Sequence, residues 1–138
     1  MLEFRKVRFD HVGLVVPSIE EHLRAHEVLY RSFDRSDIII NAAQGVREMF
    51  LSEGLGRARI ELLEPMGDGS PLAGYLRKHP DGGLVHLCYS TDDLEATVAE
   101  MISAGARLIS GPTSDVGHDG SSIAFLFHAG QVVELVQH

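Results

Sequence analysis

Four residues in this chain are of metal-binding types and stand where a strand would normally carry apolar side chains. His11 lies in Phe9-Asp10-His11-Val12-Gly13-Leu14-Val15-Val16, and His86 follows 75 residues later in Leu84-Val85-His86-Leu87-Cys88-Tyr89-Ser90. Glu61 and Glu134 sit in Arg59-Ile60-Glu61-Leu62-Leu63 and Val132-Val133-Glu134-Leu135-Val136, separated by nearly the same interval. Each run is short and rich in β-branched residues, which marks a strand. Because side chains alternate faces along a strand, each candidate replaces one position on a mostly apolar face. Taken singly, such a histidine is usually a hydrogen-bonded core residue, and such a glutamate faces solvent at an edge. Taken together, the same two residue types recur at matching places. Ionised carboxylates in such strands are costly unless something compensates them. A divalent cation would compensate all four. Two imidazoles and two carboxylates leave room for water in the shell, which suits cobalt, nickel, manganese or zinc without choosing among them.

The elements that must position these residues also repeat. Residues 6–16 read as a strand ending at Pro17, with Ser18 and Glu21 forming a capping-box pattern for a helix to about Tyr30. Ile19, Leu23 and Leu29 are its expected core-facing residues. Three strands follow: Asp37 to Ile40, Val46 to Leu51, and Arg57 to Glu64, the last after a turn at Gly54 and Gly56. The Gly- and Pro-rich stretch from Pro65 to Gly83 holds one short helix from Ser70 to His79, anchored by Leu72, Tyr75 and Leu76. The second half opens with strand Leu84 to Ser90, then a helix capped by Thr91 or Asp92 and stopped at Gly105. A strand from Arg107 to Ser110, a polar loop from Gly111 to Gly120, and a hairpin turning at Ala129-Gly130 complete it. Each half is therefore β-α-β-β-β. The expected fold is α+β: two tandem modules, about 5–66 and 83–138, joined by a linker at about 67–82. They form one domain with a curved eight-stranded mixed sheet around a metal site.

The totals narrow the function. A formal charge of −8, with basic residues dispersed, argues against non-specific nucleic-acid binding. No apolar run reaches the roughly 18 residues of a membrane span, and Met1 to Lys6 does not lead into a signal-peptide core. A cytoplasmic location is the default expectation. Cys88 is the only cysteine, so intrachain disulfides are excluded; it reads as a small core hydrophobe. Gly67-Asp68-Gly69 lacks the Gly-Lys-Ser of a phosphate loop.

Asp10-His11-Val12-Gly13-Leu14-Val15-Val16-Pro17 resembles the opening strand of the vicinal oxygen chelate superfamily, whose members are built from paired β-α-β-β-β modules. The resemblance covers nearly the whole chain. It sharpens toward the methylmalonyl-CoA epimerases at Ile60-Glu61-Leu62-Leu63-Glu64-Pro65, Leu84-Val85-His86-Leu87-Cys88-Tyr89, Ala124-Phe125-Leu126 and Val133-Glu134-Leu135-Val136. Carried over residue by residue, the family's metal ligands fall on His11, Glu61, His86 and Glu134. Its carboxylate base on the third strand falls on Glu48, and Glu134 becomes the second base. The resemblance implies a metal-dependent epimerase that removes a proton alpha to a thioester carbonyl, an acyl-CoA substrate, and a homodimer. The alternatives on this scaffold are a glyoxalase I-like lactoylglutathione lyase, an extradiol dioxygenase and a non-enzymatic small-molecule binding protein. Two stretches depart from the epimerase pattern. The stretch Phe125-Leu126-Phe127-His128-Ala129-Gly130-Gln131 makes a tight turn without proline, and Gly117-His118-Asp119-Gly120-Ser121-Ser122 replaces a more basic segment.

Overall fold

The computed structural model describes residues 7–54 and 59–138. The expected strand starts at Lys6 and Arg57, and the turn glycine Gly56, lie outside them. The chain divides into two compact units: Val12–Val85, and His86–His138 together with the described part of Met1–His11. The architecture is α+β, as expected.

In the first unit, Pro17 ends strand β1 (Val7–Val15) and Ser18 caps the next helix, its Oγ accepting from the Glu21 N–H at 3.2 Å. The expected single helix is two: α1 (Ile19–Ala25) and α2 (Glu27–Tyr30). At the break, the His26 ring reaches back to the His22 carbonyl with Nδ1 at 2.9 Å, and the backbone leaves helical geometry at φ −114°, ψ 25°. The break changes which face turns inward. Leu29 is 62% exposed, contrary to its expected core role, and Tyr30 is buried in its place.

The strands β2 (Asp34–Arg35), β3 (Ile39–Asn41), β4 (Val46–Ser52) and β5 (Arg59–Pro65) pair antiparallel around β4, with β2 the strand that sequence did not anticipate. Met49 pairs with Leu62 and Leu51 with Ile60, and this face packs on Val16, Ile19, Leu23 and Tyr30. By parity, Glu48, Phe50, Glu61 and Leu63 share the opposite face. Helix α3 (Pro71–Lys78) follows, with Ser70 at its N-cap and proline in its first turn. It buries Ala73, while the expected anchors Leu72, Tyr75 and Leu76 are only partly covered. The chain then passes Val15 so closely at Gly82, φ +87°, that a Cβ would lie 2.1 Å from the Val15 carbonyl oxygen.

The second unit follows the same logic. After β6 (Gly83–Thr91), helix α4 (Leu94–Ser103) is capped by Asp93, whose Oδ1 accepts from the Ala96 N–H at 3.1 Å. Neither Thr91 nor Asp92 is the cap. Thr91 is buried instead, its hydroxyl 2.6 Å from that of Thr97. Strand β7 (Arg107–Ser114) extends into the expected polar loop, and a 3-10 turn, Val116–His118, takes up much of the rest. The hairpin of β8 (Ser122–His128) and β9 (Gln131–Gln137) turns at Ala129 and Gly130, both with positive φ, as a two-residue primed turn requires. Strand order is β6-β9-β8-β7, with β6 and β9 parallel and the others antiparallel, so the sheet is mixed. One face packs Ala124, Leu126 and Leu135 on Leu94 and Val98 of α4. His86, Cys88, Glu134 and Val136 belong to the other, where Cys88 pairs with Glu134 and Phe125 with Glu134 in register. Among the described residues, no helix is long and apolar enough to cross a membrane.

Candidate metal centre

Strand register brings His11, His86 and Glu134 together in the second unit. All three are buried, at 0%, 7% and 2% exposure. His11 Nε2 lies 3.3 Å from His86 Nε2 and 3.3 Å from Glu134 Oε1, and His86 Nε2 lies 3.2 Å from that same oxygen. The three atoms thus form a nearly equilateral triangle. Ligands about 2.1 Å from one cation stand roughly 3.0 Å apart at right angles and roughly 3.4 Å apart in a tetrahedron. The observed edges fall between these values.

The protonation chemistry fits the same occupant. His11 Nδ1 donates to Asp10 Oδ2 at 2.7 Å, which fixes the tautomer and makes Nε2, the corner of the triangle, the unprotonated ring nitrogen. Glu134 Oε1 is the one buried side-chain nitrogen or oxygen that accepts or donates no hydrogen bond among the described residues. Burial alone would raise the Glu134 pKa, but His11, His118 and His86 overcome it, and the carboxyl is held well below its ordinary range. An ionised, orphaned oxygen between two imidazole nitrogens is an arrangement that a bound cation would satisfy. Sequence had placed these three residues together; it missed His118. That ring, its side chain 7% exposed, brings Nε2 to 3.2 Å from Glu134 Oε2 and stacks on His11 with centroids 5.5 Å apart. Only the departure of its loop from the epimerase pattern could have flagged it.

Cys88 Sγ belongs to the same compact group as His11, His118 and Glu134. Burial pushes its thiol far above the usual range, so without a metal it is a protonated, inert filler.

The first unit holds the other two candidates. Glu61 and Glu48 are 3% and 2% exposed on the face of β4 and β5 turned away from the helices. They are diagonal neighbours across the strand pair, since Glu48 stands opposite Leu63 and Glu61 opposite Phe50. Asn41, fully buried on β3, donates from Nδ2 to Glu48 Oε1 at 3.3 Å, while its own Oδ1 accepts from the Gln44 N–H. The opposite face carries an ion-pair cluster instead. There Arg47 bridges Glu20 at 2.8 Å and Glu64 at 3.0 Å.

A family profile described as the Glyoxalase/Bleomycin resistance protein/Dioxygenase superfamily matches residues 10–125. An ethylmalonyl-CoA/methylmalonyl-CoA epimerase of Cereibacter sphaeroides is 36% identical, over 94% of this chain and 97% of its own. Among solved structures, a methylmalonyl-CoA epimerase of Mycobacterium tuberculosis superposes with a TM-score of 0.83 at 29% identity, covering 99% of this chain and 92% of that one. A methylmalonyl-CoA epimerase solved in complex with methylmalonyl-CoA and NH4+ gives 0.79 at 28% identity, covering 95% and 94%.

Proposed function

The chain belongs to the glyoxalase/bleomycin resistance protein/dioxygenase superfamily, and from that premise we propose that it is a metal-dependent methylmalonyl-CoA epimerase acting on a small CoA thioester. The observation that carries the reading is the buried triangle of His11, His86 and Glu134, with its orphaned carboxylate oxygen, in a chain whose relatives bear that name.

His11, His86 and Glu134 would hold the metal together with Glu61, which the internal repeat pairs with Glu134 and which is as deeply buried. The set of two imidazoles and two carboxylates admits cobalt, nickel, manganese or zinc, and cobalt is the metal taken first in this reading. When bound, such a cation supplies positive charge where a carbonyl oxygen turns into an enolate, which brings a weak carbon acid within reach of a carboxylate base. The chain's own residues do the rest. Glu48 is the base that takes the proton: it is buried, and Asn41 holds Oε1 so that its carboxylate presents one face. Epimerisation needs a second group on the other side of the planar intermediate that carries a proton when Glu48 does not, and buried Glu134 has that role, alternating between carboxyl and carboxylate in step with Glu48. A homodimer in the cytoplasm completes the reading carried from the sequence.

The experiment is solvent-deuterium exchange into methylmalonyl-CoA, followed by NMR or mass spectrometry. Wild-type protein loaded with cobalt should exchange the proton alpha to the thioester, and Glu48→Gln should lose at least about a hundredfold of that rate. Retained exchange in Glu48→Gln would remove Glu48 from the mechanism. No exchange in wild type would redirect the search to other substrates of this superfamily, beginning with glutathione hemithioacetals.

A further inference from the structure

We propose that His118 is a positioning residue for the metal centre: by holding Glu134 Oε2, it turns Oε1 toward the cation and sets the affinity of the site. The inference rests on the functional reading above, since it needs Glu134 to be a ligand. The two oxygens of this carboxylate have different neighbours. Oε1 closes the triangle with His11 and His86, whereas Oε2 receives His118 Nε2 at 3.2 Å. His118 therefore lies outside the triangle and acts through the carboxylate. A carboxylate with only one oxygen engaged can swing about its Cγ–Cδ bond. Anchoring the second oxygen removes that freedom before any metal arrives.

The backbone that carries His118 is itself fixed. Asp115 is buried, and its carbonyl accepts from the His118 N–H at 3.1 Å and the Gly120 N–H at 2.8 Å. The Asp115 N–H donates to the Ser121 carbonyl at 3.0 Å, closing the loop at its base. The reversal is made at Asp119, in the left-handed region at φ +55°, and at Gly120, φ +83°. The ring is then held from the side by stacking on His11 at 24° between planes. Residues 115–121 together with the His11 ring thus aim one imidazole nitrogen at Oε2.

The test is the affinity of the full-length protein for cobalt(II), measured by competition with a chromophoric chelator and independent of turnover. His118→Leu should bind cobalt about 10–100-fold more weakly, the range for removing a hydrogen-bonding partner of a ligand. His118→Gln, whose amide can still donate to Oε2, should recover binding to within a few fold of wild type. The visible spectrum of the cobalt(II) form should be the same in His118→Gln as in wild type, because no ligand has changed. Unaltered affinity in His118→Leu would overturn the proposal, as would failure of His118→Gln to recover it. A shifted cobalt spectrum in His118→Gln would also overturn it, by making His118 a ligand. If wild type itself bound no cobalt, the fault would lie with the metal-centre reading and not with His118.

Discussion

The sharpest consequence of the triangle concerns stability. A cation that binds the folded chain and not the unfolded one stabilises it by an amount set by its concentration relative to Kd, about 2.7 kcal/mol at a hundredfold excess. Unfolding entropy near 2.1 cal/mol/K per residue is roughly 0.29 kcal/mol/K for a chain of this size, so the melting temperature should rise by about 9 °C. His86→Ala removes one corner and leaves His11 Nε2 and Glu134 Oε1 without the nitrogen that stands 3.2–3.3 Å from each. Losing a ligand should weaken binding at least as much as losing a ligand's partner, so we take about a hundredfold. At the same cobalt concentration the variant then sits near its Kd, the stabilisation falls to about 0.4 kcal/mol, and the melting shift to between 1 and 2 °C. Differential scanning fluorimetry with cobalt(II), and with EDTA as reference, measures both shifts. The reasoning is refuted if His86→Ala shows the wild-type shift, or if cobalt does not raise the melting temperature of wild type.

Three further outcomes follow from the geometry. Gly82→Ala should destabilise the protein by roughly 2–4 kcal/mol or more in urea unfolding, because its positive φ and the approach of Val15 both exclude a Cβ; a change below about 0.5 kcal/mol would show that the linker is not seated as described. Cys88 should resist an aromatic disulfide reagent at pH 8 in the folded state and react once urea unfolds the chain, since burial raises its thiol pKa and closes access. The pKa of His22 is lowered by burial and then by His26, so the unfolded chain binds the proton more readily; stability from this group is complete above about pH 6.5 and is lost as pH falls below it. The drop in melting temperature between pH 7.5 and 5.5 should accordingly be smaller in His22→Gln than in wild type.

Much of this molecule is written locally. Strand parity, the caps at Ser18 and Ser70, the stop at Gly105 and the Ala129-Gly130 turn depend on neighbours a few residues away, and all can be read in order along the chain. The internal repeat added a long-range expectation, that His11 and His86, and likewise Glu61 and Glu134, occupy equivalent strands, and so marked all three corners of the triangle in advance. Other features had no local signature. Leu29 is exposed and Tyr30 buried because the helix breaks at His26, whose ring nitrogen and backbone N–H share the His22 carbonyl, an arrangement with no mark in the hydrophobic spacing. Asp93 displaced Thr91 as the helix cap because Thr91 was drawn into the interior beside Thr97. His118 looks like a polar loop residue in sequence. Only the folded loop, with Asp115 at its base, carries its ring to Oε2 of Glu134. Sequence fixes which side chains can bind a cation, because residue type and strand face are local properties. The separations that make a site of them arise from sheet register and loop closure, which exist only in the folded chain.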